Sequence, residues 1–155
     1  ARACVDSGIR AYLSRCIVDV DGPDGYLRRA KENENMRLKY DGADGRIKVI
    51  NSAHAEYTCS PEALKKVYDN AREIGVPVHI HISETISEVN GCKSRHNGRT
   101  PLQLLNDLGA LEQSVTYAAH CVVLDSEDID IIKKYNIFLT LKNNFSSQKD
   151  LVYSQ

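Results

Sequence analysis

The chain has 155 residues, 42% of them hydrophobic and 26% charged, a globular rather than a disordered composition with enough material for one core and too little for two. Lys plus Arg number 20 against 21 Asp plus Glu, for a formal net charge of -1, which gives no support to a nucleic-acid partner. No apolar run approaches the roughly eighteen residues that span a bilayer, and the N-terminus has no charged segment followed by an apolar signal core, so no membrane partner is expected either.

Residues 1–7 read as the end of a helix stopped by Gly8, and residues 9–16 then alternate well enough for a strand. Asp, Gly and Pro between Val20 and Gly25 mark a loop, followed by a polar helix over about 26–40 with a thin apolar stripe from Leu27, Ala30, Glu34 and Leu38. The turn cluster Asp41-Gly42-Ala43-Asp44-Gly45 leads to a short strand over 46–51. Ser60 is placed to cap a helix whose first turn holds Pro61. Ala63, Leu64, Val67, Tyr68, Ala71 and Ile74 recur at helical spacing until Gly75.

The next stretch, Val78-His79-Ile80-His81-Ile82-Ser83-Glu84-Thr85, is a strand that ends in chemistry. Successive side chains point to opposite faces, so His79 and His81 share one face while Val78, Ile80 and Ile82 share the other. Two imidazoles on one face suit either a metal site or buried, hydrogen-bonded polar residues, and the local residues leave both open. Residues 85–98 read as a polar segment, with a loop from Asn90 to Gly98 that leaves His96 solvated. A helix follows over about 101–108, ended by Gly109, then a strand over 115–121. A helix over 126–135 has Ile129 and Ile132 on its buried side, and a last strand covers 137–141.

Five strands alternating with helices call for a parallel sheet with right-handed crossovers. Open doubly wound sheets and closed barrels both satisfy that grammar. His54, His81 with Glu84, and His120 each fall at or just past the end of a different strand, which favours a β/α barrel. A doubly wound sheet would gather them at one switch point, and no G-x-G-x-x-G phosphate loop follows a strand. The expectation is an α/β fold: a partial TIM-type β/α barrel of about five parallel strands, with residues 1–155 as a single unit.

With those residues placed, the chain resembles the amidohydrolase superfamily, in the branch of S-adenosylhomocysteine and 5'-methylthioadenosine deaminases and related chlorohydrolases. The resemblance runs from about Gly8 to Leu141. It rests on His54-Ala55-Glu56-Tyr57-Thr58-Cys59-Ser60, on His79-Ile80-His81-Ile82-Ser83-Glu84-Thr85, on Ala118-Ala119-His120-Cys121, and on the helix entry Gly98-Arg99-Thr100-Pro101. Their order across successive strand ends carries more than any one of them.

The resemblance implies that His81 ligates a catalytic divalent metal, zinc first, with iron or manganese as alternatives. It implies that Glu84 protonates the ring nitrogen of a purine-type or related N-heterocyclic substrate while water attacks the neighbouring carbon. His120 would hydrogen-bond the attacking water or the developing tetrahedral centre, and His54 would contact the small-molecule substrate. His79 is read as a buried barrel residue, because a full strand-helix pair and the His54 loop precede its motif.

Set against that pattern, no first-strand His-x-His stands upstream of Gly8 and no last-strand aspartate stands after Leu141. Where Pro-x-Ser-Asn is usual, the chain reads Leu141-Lys142-Asn143-Asn144-Phe145-Ser146-Ser147-Gln148, and Asp150 lies in a segment without strand pattern. The expectation is the central segment of a metal-dependent hydrolase barrel, inactive alone. The alternative is a catalytically inactive truncated barrel acting as a self-associating structural domain. Either way, open sheet edges are expected to pair with a second copy. The five cysteines are odd in number and form no C-x-x-C, which suits free thiols and a cytoplasmic location. Ala1 stands where a Met would open a gene product, so part of a longer protein is the expected reading.

Overall fold

The computed structural model describes residues 1–112 and 114–140. The predicted last-strand residue Leu141, the 142–148 segment and Asp150 lie outside them. Helix α1 (Arg2–Ser7) stops at Gly8, whose left-handed φ of 73° lets its N–H close on the Val5 carbonyl, a conformation that costs glycine nothing. Strand β1 (Ala11–Leu13) leads to helix α2 (Pro23–Tyr40), of which only Gly25 and Asn33 are buried. Its long polar surface matches the thin apolar stripe in the sequence.

The strand expected over 46–51 divides into β2 (Ile47–Val49) and β3 (Asn51–Ser52). β2 pairs with β1 and β3 pairs with the next strand, β4 (Val78–Ile82), both in parallel. The division has a simple cause. Successive N–H groups of an extended chain point to opposite sides, so the Ile50 N–H goes to Leu13 while the Asn51 N–H goes to Pro77. A bridge between Ile17 and Ala53 continues the β1 side. Strand β5 (Thr116–His120) pairs with β4, and β6 (Phe138–Thr140) with β5, again in parallel. The strands therefore follow chain order, with helices between all of them except β2 and β3, the architecture read from the sequence.

Helix α3 (Pro61–Ile74) is capped by Ser60, whose hydroxyl accepts the Ala63 N–H. Its buried face, Leu64, Val67, Tyr68 and Ala71, belongs to one core with Val78, Ile80 and Ile82 of β4. Fully burying an aliphatic side chain of this size stabilises by about 1.5–3 kcal/mol. That commits one face of β4 to the core and turns His79 and His81 to the other.

Two expectations need correction. The loop expected over 90–98 is helical as far as Arg95, because Ile86–Arg95 form helix α4, capped by the Thr85 hydroxyl accepting the Glu88 N–H. Only Val89 and Cys92 of α4 are buried, so its apolar period is too thin to stand out. In helix α6 (Ser126–Tyr135) the fully buried isoleucine is Ile131, with Ile132 only partly buried against the core.

Helix α5 (Pro101–Asp107) and α6 begin with joined caps. Thr100 and Gln103 form one reciprocal cap, and Asp125 and Asp128 form the other. The Thr100 hydroxyl donates to the Asp128 carboxylate, and the Gln103 amide donates to Asp125. Thr100 and Asp128 are both fully buried.

Candidate active site

Three imidazoles, His54, His81 and His120, meet at the C-terminal ends of the strands, with His81 at their centre and His79 two residues further back on β4. The His81 ring centroid lies 5.2 Å from that of His54, 5.3 Å from His120 and 5.7 Å from His79. The His81 and His120 planes are inclined by 30°. Register explains the meeting: β4 and β5 are paired over their full lengths, with His81 opposite Ala119 and Ile82 opposite His120.

The Nδ1 atom of His81 lies 2.8 Å from the carbonyl oxygen of His54. A carbonyl only accepts, so Nδ1 carries the proton, and it is Nε2 that is left to offer a lone pair to a divalent metal. A backbone carbonyl on the other ring nitrogen is also the usual means of orienting a metal-binding histidine.

His54 is fixed in the same sense. Its Nδ1 is 2.9 Å from the Thr58 hydroxyl, whose own proton is donated to the Ala55 carbonyl. Thr58 therefore accepts from Nδ1, leaving Nε2 of the neutral ring as an acceptor. Burial, and secondarily the charge of His81, lower the His54 pKa. His79 is also lowered, by burial first and then by His81 and His120.

Glu84 is carried past the strand by a turn at Ser83, which adopts a left-handed φ of 52°. The Ser83 and Glu84 N–H groups both donate to the Glu88 carboxylate, at 3.0 and 2.8 Å, so the first turn of α4 locks this turn. One Glu84 carboxylate oxygen stands 3.6 Å from Nε2 of His120. His120 and Cys121 also adopt left-handed backbone, with φ of 75° and 50°. Conformations of this kind cost side-chain-bearing residues about 1–3 kcal/mol each and gather at functional sites. Here they are held by ladder bonds from Cys121 to Ile82 and from Val122 and Val123 to Ser83.

All four residues assigned roles from the sequence, His54, His81, Glu84 and His120, thus lie on one rim. His79 departs from its reading as a buried residue: it is half-buried and faces a cavity of about 580 Å³ shared with Tyr12, Ile50, Tyr117 and Thr140. His96 is not solvated. Its Nε2 lies 2.8 Å from a carboxylate oxygen of Glu56, and the Glu56 side chain is 3% exposed. Arg95 grips the same carboxylate through both oxygens, at 3.1 and 2.7 Å. Glu56 was passed over in the sequence because its partners stand 39 and 40 residues away. The available signal was a charged residue inside an otherwise small and apolar turn two positions after His54.

Residues 1–151 match the Amidohydrolase family. The chain is 41% identical over 138 residues to a 5-methylthioadenosine/S-adenosylhomocysteine deaminase of Caldanaerobacter subterraneus subsp. tengcongensis, covering 88% of this chain and 31% of that protein. It thus spans about a third of that relative's length. Among solved structures, it superposes on the guanine deaminase of C. acetobutylicum with bound guanine in the active site, with a TM-score of 0.78 and 25% identity over 90% of this chain and 35% of the other. An adenosine deaminase of Xanthomonas campestris with bound zinc gives a TM-score of 0.75 and 25% identity over 90% of this chain and 31% of the other.

Proposed function

The chain belongs to the amidohydrolase family, and on that premise we propose that residues 1–155 are the central segment of a metal-dependent barrel that hydrolytically deaminates a purine-type or related N-heterocyclic substrate. The observation that carries this reading is the Nδ1 bond to the His54 carbonyl, which leaves His81 Nε2 for a ligand, with the His120 ring stacked beside it and Glu84 3.6 Å from His120.

His81 would hold a divalent metal through that nitrogen. Zinc is favoured by the zinc-bound Xanthomonas relative, while iron and manganese accept the same donor types. Such an ion lowers the pKa of bound water toward neutrality. Glu84 would take up the proton that the attacking water gives up and pass it to the substrate ring nitrogen, and its half-exposed side chain has the needed freedom to approach a ligand. His120 hydrogen-bonds the attacking water and then the tetrahedral carbon's oxygen. His54 accepts a substrate N–H or O–H through Nε2.

A catalytic site of this class uses about three protein ligands and an open position. The described residues offer His81 firmly and His120 beside it, so the 155-residue chain by itself should hold metal weakly and turn over little. The decisive experiment grafts the segment into a complete relative. Replacing the matching 138 residues of the Caldanaerobacter deaminase by this chain should give a metal-dependent deaminase, followed by the absorbance change on loss of the amino group. A folded, metal-loaded and inactive chimaera, or activity indifferent to Glu84→Gln, would overturn the reading.

A second reading is favoured by the exposed sheet margin. Phe138 and Leu139 of β6 are 55% and 45% exposed, and Tyr12 of β1 is 64% exposed. By itself the 155-residue chain should cover these groups and the unpaired strand edges with a second copy, a self-associating structural domain. No helix among the described residues is long and apolar enough to cross a membrane. The five free thiols support a cytoplasmic location.

A further inference from the structure

Beside the rim, a second set of ligating side chains converges on Glu56. Cys92 lies on α4 and His96 just past its end, where the His96 N–H still bonds the Cys92 carbonyl at 2.9 Å. Residues four apart on a helical turn share a face, so the thiol and the imidazole are presented together to the carboxylate. One ligand atom from each of Glu56, Cys92 and His96 lies within 4.8 Å of the other two. Glu56 and Cys92 are buried, and the His96 side chain, 20% exposed, leaves an approach from solvent.

We propose that Glu56, Cys92 and His96 form a second divalent-cation site, of the zinc class, separate from the His81 rim. A mixed thiolate, imidazole and carboxylate set with one position left for water is characteristic of zinc and its softer neighbours, and unlike the all-oxygen sets of magnesium or calcium. Arg95 fits this arrangement as the outer partner that orients the carboxylate, a role that metal-binding carboxylates generally require. Its fork takes one lone pair from each oxygen and leaves others free.

In the ion-free arrangement two protons occupy the centre. Cys92 stands within 4.8 Å of the Glu56 carboxylate as a thiol, and burial together with that neighbouring charge pushes it up to about 12. His96 donates from Nε2 to the carboxylate. On binding, the thiol proton goes to solvent and the imidazole proton moves to Nδ1, so Nε2 can ligate. One proton is released per ion, and affinity rises with pH. The site makes no use of the rim histidines, so it stands or falls independently of the deaminase reading.

Cobalt(II) added to the purified 155-residue chain tests this, because a thiolate ligand gives a sulfur-to-cobalt charge-transfer absorption in the near ultraviolet that an imidazole and carboxylate site lacks. The band should appear, be displaced by zinc, and persist in His81→Ala and Cys121→Ser. It should vanish in Cys92→Ser. In His96→Gln the cobalt affinity should fall by about tenfold or more. Because Cys92 is buried, Cys92→Ser must first show the wild-type circular dichroism; if it does not, the more exposed His96→Gln carries the decision. Absence of the band in wild type, its survival in folded Cys92→Ser, its loss in His81→Ala, or unchanged affinity in His96→Gln would each leave the cluster as an ion-pair clamp only.

Discussion

The Nδ1 atom of His81 on β4 is bonded at 2.8 Å to the backbone carbonyl of His54 in the loop after β3. The main chain of one candidate site residue thereby sets the tautomer of another, while the His54 side chain remains available for a ligand.

Separating those two roles is the first expectation. In the chimaera described above, His54→Ala should leave metal affinity nearly unchanged, because the carbonyl survives the substitution. Losing one hydrogen bond of about 1 kcal/mol should raise KM roughly fivefold. Metal titration alongside steady-state kinetics would check both halves, and a large loss of metal would contradict the assignment.

Glu84→Gln should lower kcat of the same chimaera by about 10²–10⁴-fold, the usual worth of a positioned proton transfer. Stability should barely change, since the turn is held by the Glu84 N–H on Glu88 and not by its half-exposed carboxylate. Rate and thermal midpoint falling together would instead mark a structural role.

Ser60 both caps α3 and donates its hydroxyl proton to Asp19. Removing both bonds in Ser60→Ala should destabilise the chain by about 1–2 kcal/mol, toward the upper end for a cap. Ser60→Thr, which keeps the hydroxyl, should recover most of that in urea unfolding.

Acid should destabilise the chain through His54 and His79. Both are held below the ordinary imidazole value of 6.5 by burial first and by neighbouring imidazoles second. The unfolded chain therefore binds protons that the folded chain refuses. Stability is fully present above the unfolded value and is lost as pH falls toward and through the folded ones. Urea midpoints at about pH 7.5 and about pH 5.5 should show the drop, smaller in His79→Gln. A midpoint that holds or rises on acidification would refute it.

Sedimentation of the 155-residue chain should show dimers or larger species at micromolar concentration, with Leu139→Lys, on the exposed margin of β6, shifting it toward monomer. A monomer at every concentration would mean that the apolar margin needs no cover.

The sequence announced its strands and rim plainly because those signals are local. Alternation from Val78 to Ile82 commits one face to the core, and Ser60-Pro61 marks a helix start without reference to anything distant. What stayed illegible depended on contacts across the fold. Helix α4 buries only Val89 and Cys92, too few for a periodic pattern, although Thr85 followed three residues later by Glu88 was a usable start signal. The placement of His96 could not be read from its polar neighbours, because the buried carboxylate it meets lies 40 residues earlier. The split at Ile50 reflects which neighbour each N–H serves, a property of the sheet and not of the strand.

The joined caps of α5 and α6 have a consequence for how the molecule breathes. Fraying normally begins at helix ends, one helix at a time. Here the first turn of either helix cannot open without stripping the Thr100 hydroxyl from Asp128 and the Gln103 amide from Asp125, so the two starts open together or not at all. Amide hydrogens of Gln103 and Asp128, from helices far apart in the chain, should then exchange with solvent at one shared opening free energy, as a single mechanical latch.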